Sequence, residues 1–340
     1  MSRSQLTSTV EQNTGGAVSP YVAGKNKIIN GDFGIWQRGT TFTSPAAAAY
    51  TADRYKYGQD GTGTVTVTQQ TFTPGTAPVA GYEGAYFQRT ASTAAGTSSY
   101  MQQSQLIEDV RTFAGQTVTL SFWAKSDSAR SSFVYMEQNF GSGGSSTVQY
   151  LSMGNASTTT SWQRFSFTVA LSSISGKTIG TSSFLVIYIR LGAVTSGATL
   201  DIWGVQLEAG SVATPFTTAT GTLSGELAAC QRYYWRLTSA ISSGNYTSFA
   251  LGQATSTTGA EYFVSMPTQM RATPSLNVSG TYVTTTATNG GVTISSFGAD
   301  IYTPQTVCFT AVTTGLVAGN STRLAAGNNQ TCYLEFNAEM

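Results

Sequence analysis

The chain of 340 residues is long enough for two domains, and its 40% of hydrophobic residues can form packed cores. Only 10% of its residues are charged, against about 25% in an ordinary globular domain, whereas it contains 54 threonines and 40 serines. A net charge of +1 without a basic stretch argues against nucleic-acid binding, and the absence of histidine excludes Ser-His-Asp catalysis and histidine-bound zinc. Because threonine favours sheets and glycine and serine favour turns, this composition predicts a mostly β protein.

The first 24 residues are polar and contain too few apolar side chains to fold alone. They are either a disordered tail or an arm that becomes ordered on a partner. They lack the apolar core of a secretory signal, and no stretch of ~20 apolar residues occurs elsewhere. We therefore expect neither export by such a signal nor insertion into a membrane.

Residues 25–217 contain strand-like segments that are separated by turns and not by helices. Asn30-Gly31 predicts a turn, residues 182–192 form an apolar run expected of a strand buried on both faces, and Gly204 predicts a bulge. The clearest strand lies within 116–126, where alternate residues share one face: Val118, Leu120, Phe122 and Ala124. Repeated strands without helices favour a β-sandwich or jelly roll.

Residues 218–225 are predicted to be a linker, in which Ser224 could cap a short helix that runs into a strand near Tyr234. Residues 226–340 contain further short strand-like segments punctuated by Gly, Asn and Pro. The predicted fold class is therefore all-β, with a jelly-roll or β-sandwich domain followed by a second, smaller β-sandwich domain.

The three cysteines, Cys230, Cys308 and Cys332, are widely separated, and no two have the spacing of a zinc ribbon or redox motif. Cys308 and Cys332 occur inside apolar strand-like runs. We expect small buried hydrophobic residues, and a Cys308–Cys332 disulfide is the alternative.

Several phrases of the sequence resemble bacteriophage and prophage virion proteins of the tail-fibre, head-fibre or appendage kind. These phrases are NKIINGDFGIWQRGTTFT, LIEDVRTFAGQTVTLSFWAKS, SWQRFSFTV and GVQLEAGSVATPFTTATGTLSGELAACQRYYWR, and the resemblance covers roughly residues 25–236. The first domain is also similar to jelly-roll carbohydrate-binding modules, which share the NGDF opening, the LSFWAK strand and the LDIWGVQLE strand.

The resemblance implies a protein of the phage particle surface that is made in the host cytoplasm. It implies attachment to a capsid, portal or tail protein through residues 1–24, adhesion to host-surface polysaccharide, and assembly as a homotrimer. A purely structural decoration protein of the capsid or tail is the alternative, and a glycan depolymerase is a weaker one.

Sugar recognition needs flat aromatic faces together with a few polar side chains. Trp123, Trp162 and Trp203 lie in predicted strands, where packing is the expected role. The candidate carbohydrate contacts lie near predicted loops: Trp36, Arg54, Tyr55, Tyr57, Tyr82, Tyr86 and Arg89.

Calcium is implied by the resemblance alone, through Asp32 and Asp201 in the opening and closing strands of the first domain. Calcium needs about 6–8 oxygen ligands, and the sequence offers only these two acids. The alternatives are turn capping by Asp32 and an ordinary surface or paired acid at Asp201. We expect no metal and no cofactor.

Acid catalysis of glycoside hydrolysis would need two carboxylates about 5–9 Å apart. Glu108-Asp109 is an adjacent acidic pair, but neighbouring residues of a strand point to opposite faces. We therefore expect the protein not to be an enzyme.

Self-association is predicted in residues 225–340, which carry only nine charged side chains. Depletion of charge is typical of interface cores. The proposed contact is centred on Tyr233, Tyr234 and Trp235.

Overall fold

The computed structural model describes residues 24–79, 82–94, 100–192, 194–239, 246–286 and 291–340. The predicted arm over residues 1–24 therefore lies outside the described residues, except for its last residue. The chain divides into two compact units, the first ending at Leu227 and the second beginning at Ala228. No helix in these described ranges is long and apolar enough to cross a membrane.

The first unit is a sandwich of two antiparallel sheets, with the strand orders β1-β3-β4-β11-β6-β9 and β2-β5-β10-β7-β8. Its strands are β1 (Thr41–Thr43), β2 (Tyr55–Gln59), β3 (Thr64–Thr71), β4 (Tyr86–Ala94), β5 (Tyr100–Glu108), β6 (Thr117–Ser126), β7 (Arg130–Asn139), β8 (Val148–Thr158), β9 (Gln163–Ala170), β10 (Phe184–Gly192) and β11 (Thr199–Ala209). This architecture confirms the predicted sandwich.

The core between the two sheets follows the alternation predicted for strand β6. Val118, Leu120 and Phe122 are fully buried in it, as the sequence pattern predicted. On the opposite side of the six-stranded sheet, Trp123 and Trp203 belong to a separate aromatic cluster. Their rings lie 5.3 Å apart between centroids, which confirms packing as their role.

Strand β10 is buried on both faces only in its first half. Leu185 and Ile187 point into the core, and Val186 between them is also buried. Tyr188 and Arg190 are only half-buried on the outer side. The prediction of a strand buried on both faces is therefore wrong for the second half of β10.

One helix, α1 (Leu223–Gln231), precedes strand β12 (Tyr234–Thr238), which confirms the predicted helix running into a strand. The helix is capped by Thr222, whose hydroxyl accepts the Gly225 amide at 3.1 Å, and not by Ser224, which lies inside the helix. The segment predicted as a linker, 218–225, belongs to the first unit. Within that unit the Ala219 carbonyl accepts a hydrogen bond from the Gly24 amide at 2.7 Å.

The second unit contains a three-stranded sheet of order β12-β21-β15 and a seven-stranded sheet of order β17-β16-β20-β13-β14-β19-β18. Its remaining strands are β13 (Ser248–Ala254), β14 (Gly259–Ser265), β15 (Ser275–Ser279), β16 (Tyr282–Thr285), β17 (Val292–Thr293), β18 (Ser296–Tyr302), β19 (Thr306–Val312), β20 (Ser321–Ala326) and β21 (Tyr333–Asn337). Both sheets contribute to one apolar core, which includes Phe309 and Phe336.

Strand β11 contains the predicted bulge, because its register with β6 shifts between Trp203 and Gln206. Gly204 lies in the shift with a φ of +64°, and a Cβ at this position would lie 2.6 Å from the Trp123 ring. The bulge therefore requires glycine for both its backbone conformation and its packing.

Replacing Gly204 with alanine should lower the free energy of unfolding more than replacing Gly197, which has a φ of +86° and open space around it. The left-handed backbone should cost about 1–2 kcal/mol in both variants. The clash with Trp123 should add about 1–3 kcal/mol in Gly204→Ala alone. Chemical denaturation measures both, and equal destabilisation would contradict the packing argument.

All three cysteines are buried thiols, as the sequence predicted. Burial raises the pKa of the Cys308 thiol to about 11, so it remains protonated at neutral pH.

Reductant should therefore leave the melting temperature unchanged. A thiol reagent should label the cysteines only after unfolding, because the thiolate is the nucleophile. A marked loss of stability on reduction would instead indicate a disulfide.

Candidate functional site

Three of the predicted sugar contacts are buried in the first unit. Tyr55 and Tyr57 lie in β2, each 1% exposed, with their side chains in the core. Arg54 is also 1% exposed and donates a hydrogen bond to the Leu106 carbonyl at 2.6 Å. Tyr55 and Tyr57 were wrongly assigned to a loop, because the turn ends at Arg54 and a short strand follows it.

Trp36 is half-buried and packs against the core of the sandwich. Its indole Nε1 donates a hydrogen bond to the Phe33 carbonyl at 2.7 Å. Its ring centroid lies 6.4 Å from that of Phe42. These contacts give Trp36 a packing role.

Arg89 and Asp201 form a two-fold ion pair across neighbouring strands, with both N–O distances 2.7 Å. The Lys125 ammonium lies 3.7 Å from the same carboxylate. Because two cations flank Asp201, its carboxylate is already compensated. The geometry therefore favours the paired acid over the calcium ligand at Asp201, and it removes Arg89 as a free sugar contact.

The remaining predicted residues, Asp32, Tyr82 and Tyr86, line one cavity of about 460 Å³ in the first unit. The Tyr82 hydroxyl is hydrogen-bonded to the Asp32 carboxylate. The Asp32 side chain also accepts the Gly34 amide at 3.3 Å, which is the predicted turn capping. Burial, followed by repulsion from Glu226, raises the pKa of Asp32 above its ordinary value.

The NGDF turn holds Asp32 at this cavity. The buried Asn30 side chain donates to the carbonyls of Ile35 and Asp53 at 2.9 and 3.0 Å. Gly31 must be glycine, because a Cβ there would lie 2.2 Å from the Val205 carbonyl oxygen. The turn is therefore fixed by its contacts with the rest of the unit.

Glu226 lies close to Asp32, and its carboxylate accepts hydrogen bonds from backbone amides. Its Oε2 accepts the Asn30 amide and its Oε1 accepts the Thr220 amide, both at 2.7 Å. A carboxylate held in this way is 1% exposed and poorly placed to exchange protons with a substrate. Asp32 and Glu226 are therefore unsuited to act as an acid and base pair.

The adjacent acids Glu108 and Asp109 are likewise unsuited. Asp109 forms an ion pair with Arg111 at 3.1 Å. Its φ of +70° marks the turn that follows β5, whose last residue is Glu108.

A second aromatic site covers the outer side of the five-stranded sheet, on strands β5, β10, β7 and β8. We call it the tyrosine face and define it by its outward residues Tyr100, Gln102, Phe133, Tyr135, Glu137, Tyr150, Tyr188 and Arg190. Tyr188 stacks on Tyr135 with ring centroids 4.4 Å apart and planes at 11°. Phe133 and Tyr150 flank Tyr135 at 5.1 and 5.3 Å.

Tyr150 reaches this face through a bulge in strand β8. The register of β7 and β8 shifts between Met136 and Gln138, and Tyr150 has a φ of +52°. A positive φ is uncommon for a non-glycine residue and is found at functional sites. The bulge leaves the Tyr150 ring 57% exposed beside the stacked tyrosines.

The polar side chains of the tyrosine face form hydrogen bonds with one another. Arg190 donates from Nε to Gln102 Oε1 at 2.8 Å and from Nη2 to the Tyr135 hydroxyl. The Tyr188 hydroxyl donates to Glu137 Oε2 at 3.3 Å. Burial raises the pKa of the Tyr188 hydroxyl, which therefore remains a donor at neutral pH.

A groove of about 280 Å³ continues the face toward strand β2. Tyr100, Gln102 and Tyr188 line one side of it, and Lys56 lines the other. Gly58 keeps it open, because a Cβ at that position would lie 2.7 Å from the Gln102 amide nitrogen.

The tyrosine face was not predicted from the sequence. Within residues 131–139 the pattern is Phe133, Tyr135 and Glu137 on one side and Val134 and Met136 on the other. This alternation could have identified an aromatic outer face on β7. The residues that β10 adds to this face could be identified only by knowing that β10 pairs with β7.

In the second unit, Tyr233 and Tyr234 are 4% and 1% exposed. The Tyr234 hydroxyl donates to Glu335 Oε2 at 2.5 Å. Trp235 is half-buried and stacks on Phe336 at 5.4 Å. The predicted contact between copies through Tyr233 and Tyr234 is therefore wrong, because both side chains are used inside the chain.

Glu261, Asp300 and Cys308 have potential ligand atoms within 4.8 Å of one another. The Cys308 thiol donates to Asp300 Oδ2 at 3.4 Å. Burial raises the pKa of the Cys308 thiol, which is therefore protonated and acts as the donor in this hydrogen bond.

Replacing Asp32 with asparagine should stabilise the protein at pH 7. The raised pKa means that the folded state favours the protonated acid, and this stability is lost as pH rises through the folded pKa. Asparagine retains the acceptor for Gly34 without the charge. The gain in melting temperature should disappear below pH ~4, where the unfolded acid is also protonated.

The exposed residue Glu83 lines the same cavity and provides the control. Glu83→Gln should leave the pH dependence of the melting temperature unchanged. An Asp32→Asn protein that is less stable than the unmodified protein at pH 7 would contradict the role of burial.

No protein-family model matches the chain, and no curated protein matches it. Similar solved structures include the enzymatically active domain of tailspike protein 4 from bacteriophage CBA120, with 16% identity over 56% of this chain, 22% of that chain and a TM-score of 0.37. Another is TmCBM61 in complex with β-1,4-galactotriose, with 13% identity over 54% of this chain, 99% of that chain and a TM-score of 0.33. A third is the CBM22-2 xylan-binding domain from Paenibacillus barcinonensis Xyn10C, with 16% identity over 50% of this chain, 99% of that chain and a TM-score of 0.31. All three TM-scores lie below 0.5.

Proposed function

We propose that the first unit binds a glycan chain across the tyrosine face. The observation that supports this proposal is the combination of closely packed rings and oriented polar groups on the outer side of a sheet. Tyr188 stacks on Tyr135, and Tyr150 stands exposed beside them. A ring exposed next to a rigid aromatic pair offers a flat apolar surface at low cost in side-chain entropy.

Sugars combine apolar C–H faces with hydroxyl groups, so a sugar site needs both kinds of contact. The exposed Tyr150 ring and the half-buried Tyr188 ring supply the first kind, and the Tyr135 ring, which is 1% exposed, packs against both. Gln102 and Glu137 supply acceptors, and Arg190 supplies donors for hydroxyl groups. The groove toward Lys56 extends this surface across the strands, as an elongated ligand would require.

Binding without catalysis is the activity that we propose. Glu137 is the one carboxylate of the tyrosine face as defined above, whereas glycoside hydrolysis generally uses two. The acids at the separate cavity are held by backbone amides and the Tyr82 hydroxyl. A depolymerase is therefore the less favoured alternative.

The setting that we propose is the surface of a phage particle, after synthesis in the host cytoplasm. The support for this setting is the sequence resemblance over residues 25–236. Attachment to capsid, portal or tail through residues 1–24 and a homotrimeric state are parts of the same proposal, and a purely structural decoration protein is the alternative.

Removing residues 1–24 should abolish incorporation into particles. Light scattering on the full chain should give three times the chain mass.

Replacing Tyr150 with alanine should weaken glycan binding about tenfold, equivalent to ~1.4 kcal/mol, because an exposed ring is lost. A glycan array would identify a ligand, and calorimetric titration would measure the loss. Tyr246→Ala in the second unit is the matched control, since Tyr246 is 50% exposed against 57% for Tyr150.

Tyr86→Ala distinguishes the tyrosine face from the cavity that Tyr86 lines. Loss of binding in Tyr86→Ala with normal binding in Tyr150→Ala would move the site to the cavity. No binding of the full chain to any glycan on an array of neutral and acidic sugars would reject the proposed function.

A further inference from the structure

Arg190 occupies the centre of the tyrosine face. It pairs across the sheet with Gln102 on β5 and with Phe133 on β7. Its guanidinium carbon lies 4.0 Å from the centroid of the Tyr100 ring and 5.0 Å from that of Tyr135. With two hydrogen bonds and two ring contacts, the guanidinium is held in one orientation.

The partners of Arg190 are neutral. Other arginines form ion pairs with carboxylates, among them Arg89, Arg111, Arg130 and Arg236. No carboxylate of the described residues lies within ion-pair distance of Arg190. The Glu137 carboxylate on the same face instead accepts a hydrogen bond from Tyr188.

The hydrogen-bonding capacity of Arg190 is only partly used. A guanidinium carries five N–H donors in a plane, and the two bonds to Gln102 and Tyr135 account for two of them. The residue is half-buried, so part of it still reaches solvent. Glu137 lies close enough to attract this guanidinium, but it lies outside ion-pair distance. An oriented guanidinium without a carboxylate at ion-pair distance is suited to a planar or tetrahedral group of anionic oxygens.

Lys56 adds a second positive charge at the same groove. It lies on β2 and faces outward, directly opposite Ser104, which in turn lies opposite Tyr188. Its ammonium contacts the Tyr50 ring at 5.6 Å, and it forms no ion pair with a described residue. Two cations, Arg190 and Lys56, therefore lie along this surface together with Glu137.

We propose that the glycan bound at the tyrosine face carries an anionic oxygen group, a carboxylate or a sulfate, which Arg190 binds through its free N–H donors. Lys56 contributes long-range attraction to the same chain. This inference depends on the proposed glycan binding and adds the chemical class of the ligand. A charge-assisted contact of this kind is stronger than a hydrogen bond between neutral groups.

The test compares three polymers by affinity electrophoresis and calorimetric titration. The first is polygalacturonate, the second is the same polymer after chemical reduction of its carboxyl groups, and the third is dextran sulfate. We expect at least one anionic polymer to bind ten times more tightly than the reduced, neutral polymer. Preference for polygalacturonate would identify a carboxylate ligand, and preference for dextran sulfate would identify a sulfate ligand.

Substitutions connect this preference to Arg190. Arg190→Gln should remove the difference between the anionic and neutral polymers, whereas Arg190→Lys should keep part of it because the charge remains without the planar donor geometry. Arg111→Gln, at a position 61% exposed outside the tyrosine face, should leave the preference unchanged. Thermal melts of the three variants verify that each is folded.

Equal binding of the neutral and the anionic polymers would overturn the inference and leave glycan binding in place. So would binding of neutral array glycans alone with a loss in Tyr150→Ala. Preference for anionic polymers that survives in Arg190→Gln would also overturn the assignment to Arg190. Absence of binding to both anionic polymers would reject the anionic ligand.

Discussion

The first unit depends on one geometric constraint, which is that consecutive side chains of a strand point to opposite sides of the sheet. In β10 this alternation sends Ile187 and Ile189 into the shared core, and it leaves Tyr188 and Arg190 outside. The same alternation in β7 places Tyr135 directly beside Tyr188. A shift of one residue would exchange the two sets and bury a guanidinium in an apolar core. The core and the tyrosine face are therefore consequences of the same register.

The aromatic residues on the two outer sides of the sandwich differ in how far other side chains cover them. On the six-stranded sheet, Phe216 packs against Trp123 and Trp203 at 6.3 and 5.1 Å, so these large rings become an additional core. On the five-stranded sheet, the Tyr150 ring is more than half exposed. Aromatic residues on one side thus form an additional core, whereas on the other side the Tyr150 ring remains exposed to solvent. A count of aromatic residues in the sequence could not make this distinction.

The sequence predicted features that are decided locally. The face of β6 that carries Phe122 follows from alternation, and the bulge at Gly204 follows from a glycine inside a strand. Tyr57 was assigned to the wrong environment because a five-residue strand beside a turn has too few residues to display its alternation. The tyrosine face was missed because Tyr135 and Tyr188 are 53 positions apart, and their stacking follows only from the pairing of β7 with β10. Non-local pairing is the information that a single sequence lacks.

Two arginines of the first unit, Arg89 and Arg190, differ in the kind of group that holds each of them. Arg89 lies opposite Asp201 and near Lys125 on adjacent strands, so this network is compensated within the protein. Arg190 is fixed just as firmly, but by an amide and a phenol. Neutral partners can orient a guanidinium without cancelling its charge, whereas a carboxylate does both. The type of partner therefore separates an arginine that stabilises the sheet from one that is prepared for an anion outside it.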